Sequence, residues 1–382
     1  MKRINHKSSA ILTVISIVIA SVIVFSFGCA KQEEKEIKIG AIIPLTGPLA
    51  TYGEPVRGGM IVAVEEINKT GGINGKKIAL IIEDDGGEPK NAVNAFNKLA
   101  TVDKTQIILG PLSSGSSMAT APLADKLKIV QLSTLAGIPA LSEAGDYVFR
   151  IYPSSELGAR FAAEEAFKKF RPKRVAILYM NNPFGGAARK IYTKAAMEFN
   201  AVVAGVESFQ DGEKDFRTQL SKLKKSKADI VFCSAYWSEG SSILVQMQEQ
   251  GINLPVFGED GWRGPIAGIV GEKGLKKLYF ADLAFGAEFK DNDIMQKFID
   301  NFIRKYHKKA STHSATGYDA VYIAKQAIEL GGYAGEGIKN ALYKVDYVGA
   351  VGRTKFDKNG DNAGVEFSLF QLNKNNEGVV EK

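Results

Sequence analysis

Along residues 37–132, short continuous apolar runs alternate with longer stretches in which apolar and polar residues are mixed. Short apolar runs rich in Ile, Leu and Val are typical of buried strands, and the stretches between them carry apolar residues at helical spacing. Met60, Val64 and Ile67, for example, share one face of a helix. The pattern predicts strands over Ile37–Ile43, Lys77–Glu83, Ile107–Leu109 and Ile129–Leu132, and helices over Gly58–Lys69, Lys90–Thr101 and Ser114–Lys126.

The alternation of strands and helices starts again near residue 174. It predicts strands over Arg174–Tyr179, Val202–Ser208, Ile230–Ser234 and Val256–Gly258, and helices over Gly186–Phe199, Phe216–Lys225 and Gly240–Gln250. This order indicates βαβ units and parallel sheets covered on both faces. Because two doubly wound units suit 382 residues better than one very large sheet, we expect an α/β protein with two lobes.

The last third of the chain is less periodic. Two strongly helical stretches, Asn292–Tyr306 and Ala315–Leu330, are followed by apolar runs on either side of the turn 357–361. Turn residues between two such runs favour a hairpin of Val351–Phe356 with Phe367–Leu372.

The N-terminus indicates export. Residues 1–28 combine a short basic segment with an apolar run and end in Gly, as secretory signals do. The next residue, Cys29, resembles the lipidated Cys of a bacterial lipobox, although Ser26 stands where Leu is usual and Phe27 is bulky. We predict a signal peptide, a lipidated Cys29 and a charged tether over 29–36. An uncleaved membrane anchor is the alternative, because the apolar run approaches spanning length.

Composition and charge exclude several classes of protein. The chain has 49 Lys and Arg against 42 Asp and Glu, a net charge of +7. Three of the basic residues lie in the predicted signal, which has no acid, so the rest of the chain carries only +4. That mild bias does not indicate a nucleic-acid partner. With 2 Cys, one of them Cys233 inside an apolar run, no disulfide framework is expected.

Catalytic and cofactor signatures are missing from the sequence. We find no Gly-rich nucleotide-binding loop after a strand and no nucleophile elbow, and only His307 and His313 follow the signal. The acidic clusters Asp84–Glu88 and Asp357–Asp361 could bind a cation, but a helix cap and a turn are the simpler interpretations. We therefore expect no cofactor, no metal and no enzymatic activity.

One loop has the design of an anion-binding site. Leu109–Ser117 joins a strand end to a Gly/Pro turn and then to small hydroxyl residues that open a helix. Free N–H groups at such a helix start suit a carboxylate. Plain N-capping by Ser is the alternative interpretation.

Motifs spread over residues 36–372 resemble the leucine/isoleucine/valine-binding family, which comprises type I periplasmic binding proteins of ABC transporters. The matching segments are Ile39–Pro48, Tyr52-Gly53, Gly58–Asn68, Gly71–Gly75, Asp84-Asp85 with Pro89, Gly110, Arg150, Gly212–Phe216, Gly317–Ala320 and Phe356–Asp361. The resemblance implies two Rossmann-like lobes joined by hinge strands. Lobe 1 is expected at approximately 37–153 and 282–330, and lobe 2 at approximately 154–281 and 331–372.

The resemblance also implies a ligand site between the lobes. Ser114 would hold an amino acid carboxylate, Tyr236 would lie near its ammonium, and Asp260 would neutralise that ammonium. Two positions depart from the family pattern: Gly137 replaces a Thr, which removes a hydroxyl and enlarges the pocket, and His313 replaces an apolar or aromatic residue. The expected ligand-binding residues are Tyr52, Ser114, Leu135, Gly137, Phe184, Tyr236, Asp260 and His313.

The function implied by the resemblance is an extracytoplasmic receptor. It would capture a small carboxylate-bearing ligand, such as a branched-chain or other apolar amino acid, and deliver it to the permease subunits of an ABC importer. We expect a monomer held on the membrane by its lipid anchor. The alternatives are a receptor for an aromatic or keto carboxylate, a ligand-sensing subunit and an exported hydrolase.

Overall fold

Two sheets, one parallel and one mainly parallel, each at the centre of one lobe, form the framework of the molecule. The computed structural model describes residues 36–286, 289, 291–375 and 378–380. The predicted signal peptide, Cys29 and the tether up to residue 35 lie outside the described residues. Within them, no helix combines the length and the apolar character needed to cross a bilayer.

The sheet of the first lobe has five parallel strands in the order β2-β1-β3-β4-β5. The apolar runs of four strands are buried on both faces, as βαβ crossovers require, and the run of the edge strand β2 is half-buried. The elements in chain order are β1 (Glu36–Ile43), α1 (Ala50–Lys69), β2 (Lys77–Asp84), α2 (Pro89–Thr101), β3 (Ile107–Leu109), α3 (Ser114–Leu127), β4 (Val130–Ser133) and β5 (Val148–Arg150), with a 3₁₀ turn at Pro139–Glu143.

The sheet of the second lobe has seven strands in the order β14-β13-β10-β9-β8-β6-β7. β13 runs antiparallel to both β10 and β14, and the other pairs are parallel. The elements are α4 (Ser155–Phe170), β6 (Arg174–Met180), α5 (Pro183–Glu198), β7 (Val202–Phe209), α6 (Arg217–Lys225), β8 (Ile230–Ser234), α7 (Trp237–Glu249), β9 (Val256–Gly258), a 3₁₀ turn (Asp260–Trp262), α8 (Ala267–Leu275), β10 (Leu278–Leu283), and later β13 (Phe367–Leu372) and β14 (Gly378–Val380).

The segment between β10 and β13 belongs to the first lobe well beyond residue 330, where the sequence analysis placed the return to the second lobe. It contains α9 (Asp293–Tyr306), α10 (Thr312–Gly331), α11 (Gly335–Leu342), β11 (Asp346–Gly349) and β12 (Gly352–Lys355). The expected boundary at residue 330 is wrong, because Ile338, Leu342, Val351 and Phe356 are buried in the core around the first sheet. The chain pairs with the second sheet again only at β13.

The predicted hairpin of Val351–Phe356 with Phe367–Leu372 is also wrong. β12 pairs with β11, whereas β13 pairs with β10 of the other lobe. The turn between them is held on the first lobe, because Asp361 forms an ion pair with the buried Arg150 at 2.6 Å. The chain leaving that turn stays beside β12 only briefly, where the N–H of Ala363 donates to the Lys355 carbonyl oxygen at 2.9 Å, and it then crosses to β10.

Three helices, α4, α8 and α11, were not predicted from the sequence, and α4 was missed because its buried face is made of small residues. Apart from Phe167, the buried residues of α4 are Ser, Gly and Ala, so large apolar residues mark no helical stripe. α1 likewise begins eight residues before the predicted start at Gly58, although Gly53 and Pro55 lie in its first turns.

Glycine permits α1 and α10 to lie in close contact. A Cβ on Gly59 would overlap the carbonyl oxygen of Ser314, and a Cβ on Gly317 would overlap that of Val56. Because both overlaps are with backbone, no side-chain rotation can relieve them. The pair of glycines thus sets the distance at which α10 covers the first sheet.

We expect Gly317→Ala to destabilise the protein by about 1–3 kcal/mol or more, because the added methyl group forces the two backbones apart. Gly186→Ala is the matched control, since a Cβ on this helical glycine meets nothing within 4 Å. It should leave stability unchanged or raise it by about 0.4–1 kcal/mol. Urea unfolding followed by circular dichroism measures both. Equal midpoints for the two variants would show that the contact between the helices is not tight.

Candidate ligand-binding site

The carboxyl ends of the strands in the two sheets face each other across a cavity. This is the edge at which open α/β sheets bind ligands. The interior open to a water-sized sphere is only about 40 Å³, within about 450 Å³ of space between the atoms that includes the open solvent at the mouth. Seven of the eight residues expected from the sequence line it, and His313 does not. The lining residues are Leu49, Tyr52, Leu112, Ser113, Ser114, Leu135 and Gly137 from the first lobe and Phe184, Tyr236, Asp260 and Gly261 from the second.

The start of α3 presents hydrogen-bond donors to this cavity. Ser113 is the N-cap, and its Oγ accepts a hydrogen bond from the backbone N–H of Ser116 at 3.1 Å. The capping role thus belongs to Ser113, and Ser114 lines the cavity as the first residue of the helix. The backbone N–H groups of Ser114 and Gly115 lie in the first turn of α3, where no carbonyl oxygen of the helix is placed to accept a hydrogen bond from them. This helix end therefore suits an anionic group.

An aromatic row crosses the cavity from one lobe to the other. The rings of Phe184 and Tyr236 are stacked, with centroids 5.5 Å apart. The ring centroids of Tyr236 and Tyr52 are 5.7 Å apart, and those of Tyr52 and His313 are 5.1 Å apart. Three of these side chains form a cavity wall, while His313 lies behind Tyr52. Such a wall binds an apolar group and excludes water from it.

The hydroxyl of Tyr52 links the two lobes directly. It donates a hydrogen bond to the carbonyl oxygen of Gly261 at 2.8 Å and accepts one from the backbone N–H of Trp237 at 3.3 Å. The indole N–H of Trp237 donates to Thr51 Oγ1 at 3.0 Å. Burial raises the pKa of Tyr52 well above its usual value, so the hydroxyl keeps its proton. These bonds define a closed arrangement of the lobes.

Asp260 is the carboxylate of the cavity. Among the described residues, the only hydrogen bond acting on its carboxyl group comes from its own backbone N–H. Burial raises its pKa well above the ordinary value, and the carboxylates of Asp282 and Glu259 raise it further, whereas Arg263 opposes the rise. A cation entering the cavity would stabilise the ionised form of this group. The side chain is thus placed to pair with a ligand cation.

Asp282 joins the lobes at the crossover strands, a role that the sequence analysis did not identify. It is fully buried and accepts hydrogen bonds from Tyr152 at 3.0 Å, from Arg263 Nε at 2.8 Å and from Thr312 at 3.1 Å. Tyr152 follows β5, and Asp282 lies near the end of β10, where the chain passes between lobes. The available signal was an acid inside the apolar run of Leu278–Leu283.

The two positions that depart from the family pattern have structural roles. A Cβ on Gly137 would lie 3.1 Å from the Cβ of Ser155, whose N–H donates to the Gly137 carbonyl oxygen at 2.6 Å. The space beside Gly137 is therefore filled by Ser155 and does not enlarge the cavity as expected. Burial lowers the pKa of His313 to about 4, so its imidazole is neutral and supports the ring of Tyr52.

A larger groove, of about 1,120 Å³, lies elsewhere on the molecule. It runs along the turn Asp357–Asp361 and the starts of the 3₁₀ turn at Pro139 and of α4. It lacks an aromatic wall, and Asp361 is already paired with Arg150. Within the described residues, no cluster of His, Cys, Asp and Glu is arranged to hold a metal ion.

Comparison with known proteins identifies the family. Residues 36–377 match the model of the family described as periplasmic binding protein. The chain belongs to this family. Membership implies an extracytoplasmic location and a substrate-binding role, and it confirms the α/β fold class expected from the sequence.

Relatives and solved structures agree with the resemblance seen in the motifs. The Leu/Ile/Val-binding protein BraC3 of Rhizobium johnstonii is 29% identical over 358 residues, which cover 92% of this chain and 96% of the relative. The leucine-binding protein LivK of Thermotoga maritima is 25% identical with a TM-score of 0.84, covering 91% of this chain and 98% of that one. LivJ of Streptococcus pneumoniae, solved in complex with isoleucine, is 26% identical with a TM-score of 0.81, covering 90% and 97%.

Proposed function

We propose that the protein is the substrate-binding receptor of an ABC importer and that its ligand is an apolar amino acid, in the first place a branched-chain one. One observation carries the proposal. The start of α3 in the first lobe and the unpaired Asp260 in the second lobe face the same cavity, with apolar and aromatic side chains around them. An α-amino acid has an anion, a cation and a side chain in a matching arrangement.

Each part of the ligand has a proposed partner. The carboxylate accepts hydrogen bonds from Ser114 and from the N–H groups of the first turn of α3. The ammonium pairs with Asp260 and lies beside Tyr236, whose ring can interact with a cation. The names of the relatives support this assignment, since BraC3 is a Leu/Ile/Val-binding protein and LivJ was solved with isoleucine. The apolar ligand side chain lies against Leu49, Leu112, Leu135 and Phe184.

An aromatic carboxylate is the second candidate ligand. The stacked rings of Phe184 and Tyr236 offer a flat apolar surface that suits a benzene ring. A benzoate-bound solute-binding protein from R. palustris shares the fold with a TM-score of 0.81, although it is only 18% identical. A ligand without an ammonium would leave Asp260 protonated, so the two candidates make different demands on this residue.

We expect Asp260→Asn to weaken leucine binding by a factor of about 100 or more, because removing one partner of a buried charge pair costs roughly 3–5 kcal/mol. The same variant should bind 4-methyl-2-oxopentanoate, the keto acid that matches leucine, about as well as the wild type does. Isothermal titration calorimetry measures both. Asp300→Asn is the control, since Asp300 is exposed on α9. Wild-type protein that binds benzoate or the keto acid but none of leucine, isoleucine and valine would contradict the amino acid assignment.

We further propose that Cys29 is lipidated and holds the receptor on the outer face of a cytoplasmic membrane or in the periplasm, next to its permease. One acyl chain gives only marginal attachment, so the several chains of a bacterial lipoprotein are needed. The receptor acts as a monomer and catalyses no reaction.

Replacing Cys29 with Ser should abolish incorporation of a fatty-acid analogue during growth, because the acceptor thiol is lost. Cys233→Ser is the matched control, since that thiol is free and buried in the folded protein. Gel fluorescence after metabolic labelling reports both. An unlabelled wild-type protein would show that the signal is not processed as a lipobox.

A further inference from the structure

A closed group of polar side chains lies behind the ligand cavity in the second lobe. Glu259 is 2% exposed, and Tyr192 and Ser234 are fully buried. Both carboxyl oxygens of Glu259, the Tyr192 hydroxyl and the Ser234 hydroxyl lack a well-formed hydrogen bond with the described residues, although the two hydroxyls lie near enough to the carboxyl group to lower its pKa. Most buried polar atoms in proteins have partners, and an unsatisfied one is costly. Four such atoms in one place require an explanation.

The surroundings of this group are apolar. The ring of Tyr192 is stacked on Phe232 with centroids 4.4 Å apart, and both rings belong to the core between α4, α5 and the second sheet. Glu259 and Asp260 follow β9 in succession, and Asp260 lines the ligand cavity. The two neighbouring carboxyl groups thus serve different spaces, one of them open to ligand and the other enclosed.

We propose that Glu259, Tyr192 and Ser234 form a hydrated compartment that binds one proton, and that Glu259 gives up this proton when a ligand ammonium pairs with Asp260. The linkage to an ammonium rests on the proposed function. Glu259 is a positioning residue in this scheme, because it acts on the ligand only through the electrostatics of Asp260. We refer to these three side chains as the Glu259 compartment.

Water is the ligand that suits the Glu259 compartment. A buried water makes about three hydrogen bonds and occupies sites where polar groups of the protein lack partners. The two hydroxyls can each donate or accept, and the carboxyl group can do either, depending on its proton. A water among them satisfies all three side chains in both protonation states. A site of this kind can hold a proton without leaving a bare buried charge.

The pKa of Glu259 lies near neutral pH, so its carboxyl group can gain or lose the proton there. Burial raises its pKa from 4.5 to about 7, and the hydroxyls of Tyr192 and Ser234 limit the rise. The titratable groups that face it are Tyr192 from α5, Cys233 from β8 and Asp260 from the following turn. From β10, Asp282 acts on Asp260, and the buried face of α4 carries no charge.

The direction of the linkage follows from the charges. An ionised Glu259 disfavours ionisation of Asp260, and a ligand ammonium favours ionisation of both carboxyl groups. Ammonium binding therefore lowers the pKa of Glu259 and releases its proton. By reciprocity, the affinity for an amino acid increases as the pH rises through the pKa of Glu259, and it is weaker at pH values below that pKa.

The test variant is Glu259→Gln, and Glu198→Gln is its matched control. Gln keeps the size and hydrogen bonding of Glu259 but cannot titrate, whereas Glu198 is a surface residue at the end of α5. Calorimetry should show leucine affinity of the wild type and of Glu198→Gln rising about threefold to tenfold from pH 6 to pH 8, the limit for one proton being tenfold per pH unit. Glu259→Gln should give a shallower profile, because only Asp260 can then lose a proton when the ammonium binds. An unchanged slope in Glu259→Gln would overturn the proposal.

A titration without ligand separates this proposal from the proposed function. Carbon-13 NMR of labelled Glu carboxyl groups should show one group, missing in Glu259→Gln, that titrates near pH 7. Tyr192→Phe retains the stack on Phe232 and should move this midpoint upward, since it removes a hydroxyl that lowers the pKa. If all Glu carboxyls titrate near their ordinary values, the Glu259 compartment does not bind a proton. A wild type with this midpoint but no affinity for amino acids would refute the ligand assignment alone.

Discussion

The hydroxyl of Tyr52 is the contact on which the ligand site depends. It belongs to the first lobe, yet both of its hydrogen-bond partners, the Gly261 carbonyl oxygen and the Trp237 N–H, belong to the second. Asp260 lies one residue before Gly261, and Tyr236 one residue before Trp237. The two hydrogen bonds therefore fix the position of Asp260 and Tyr236, the side chains that we propose to face the ligand cation, relative to the loops of the first lobe. When the lobes separate, the cavity ceases to exist as one space.

The two lobes divide the recognition of a dipolar ligand between them. The first lobe offers the start of α3 to an anion, and the second offers the carboxylate of Asp260 to a cation. In the proposed function neither lobe alone satisfies both ends, so we expect ligand binding to close the lobes. Asp282 allows this by tying Tyr152, Arg263 and Thr312 together where the chain crosses between lobes.

The sequence predicted the features that depend on local pattern. Buried strands such as Ile230–Ser234 were located to the residue because an apolar run between turns has one simple interpretation. Helix α4 was missed because Ala covers its inner face, and the partner of β13 was wrong because strand pairing depends on distant contacts. The motifs brought the cavity residues together, but the position of His313 behind Tyr52 depends on how α1 and α10 pack, which no local pattern encodes.

Closure around a ligand is the central claim, and small-angle X-ray scattering measures it most directly. The protein without its first 30 residues would be measured alone and with saturating leucine. Because the hydrogen bonds of Tyr52 with Gly261 and Trp237 join the two lobes, the account predicts a smaller radius of gyration with leucine bound. Tyr52→Phe should retain more of the open form at the same leucine concentration. Identical scattering profiles of the wild type with and without saturating ligand would contradict the account.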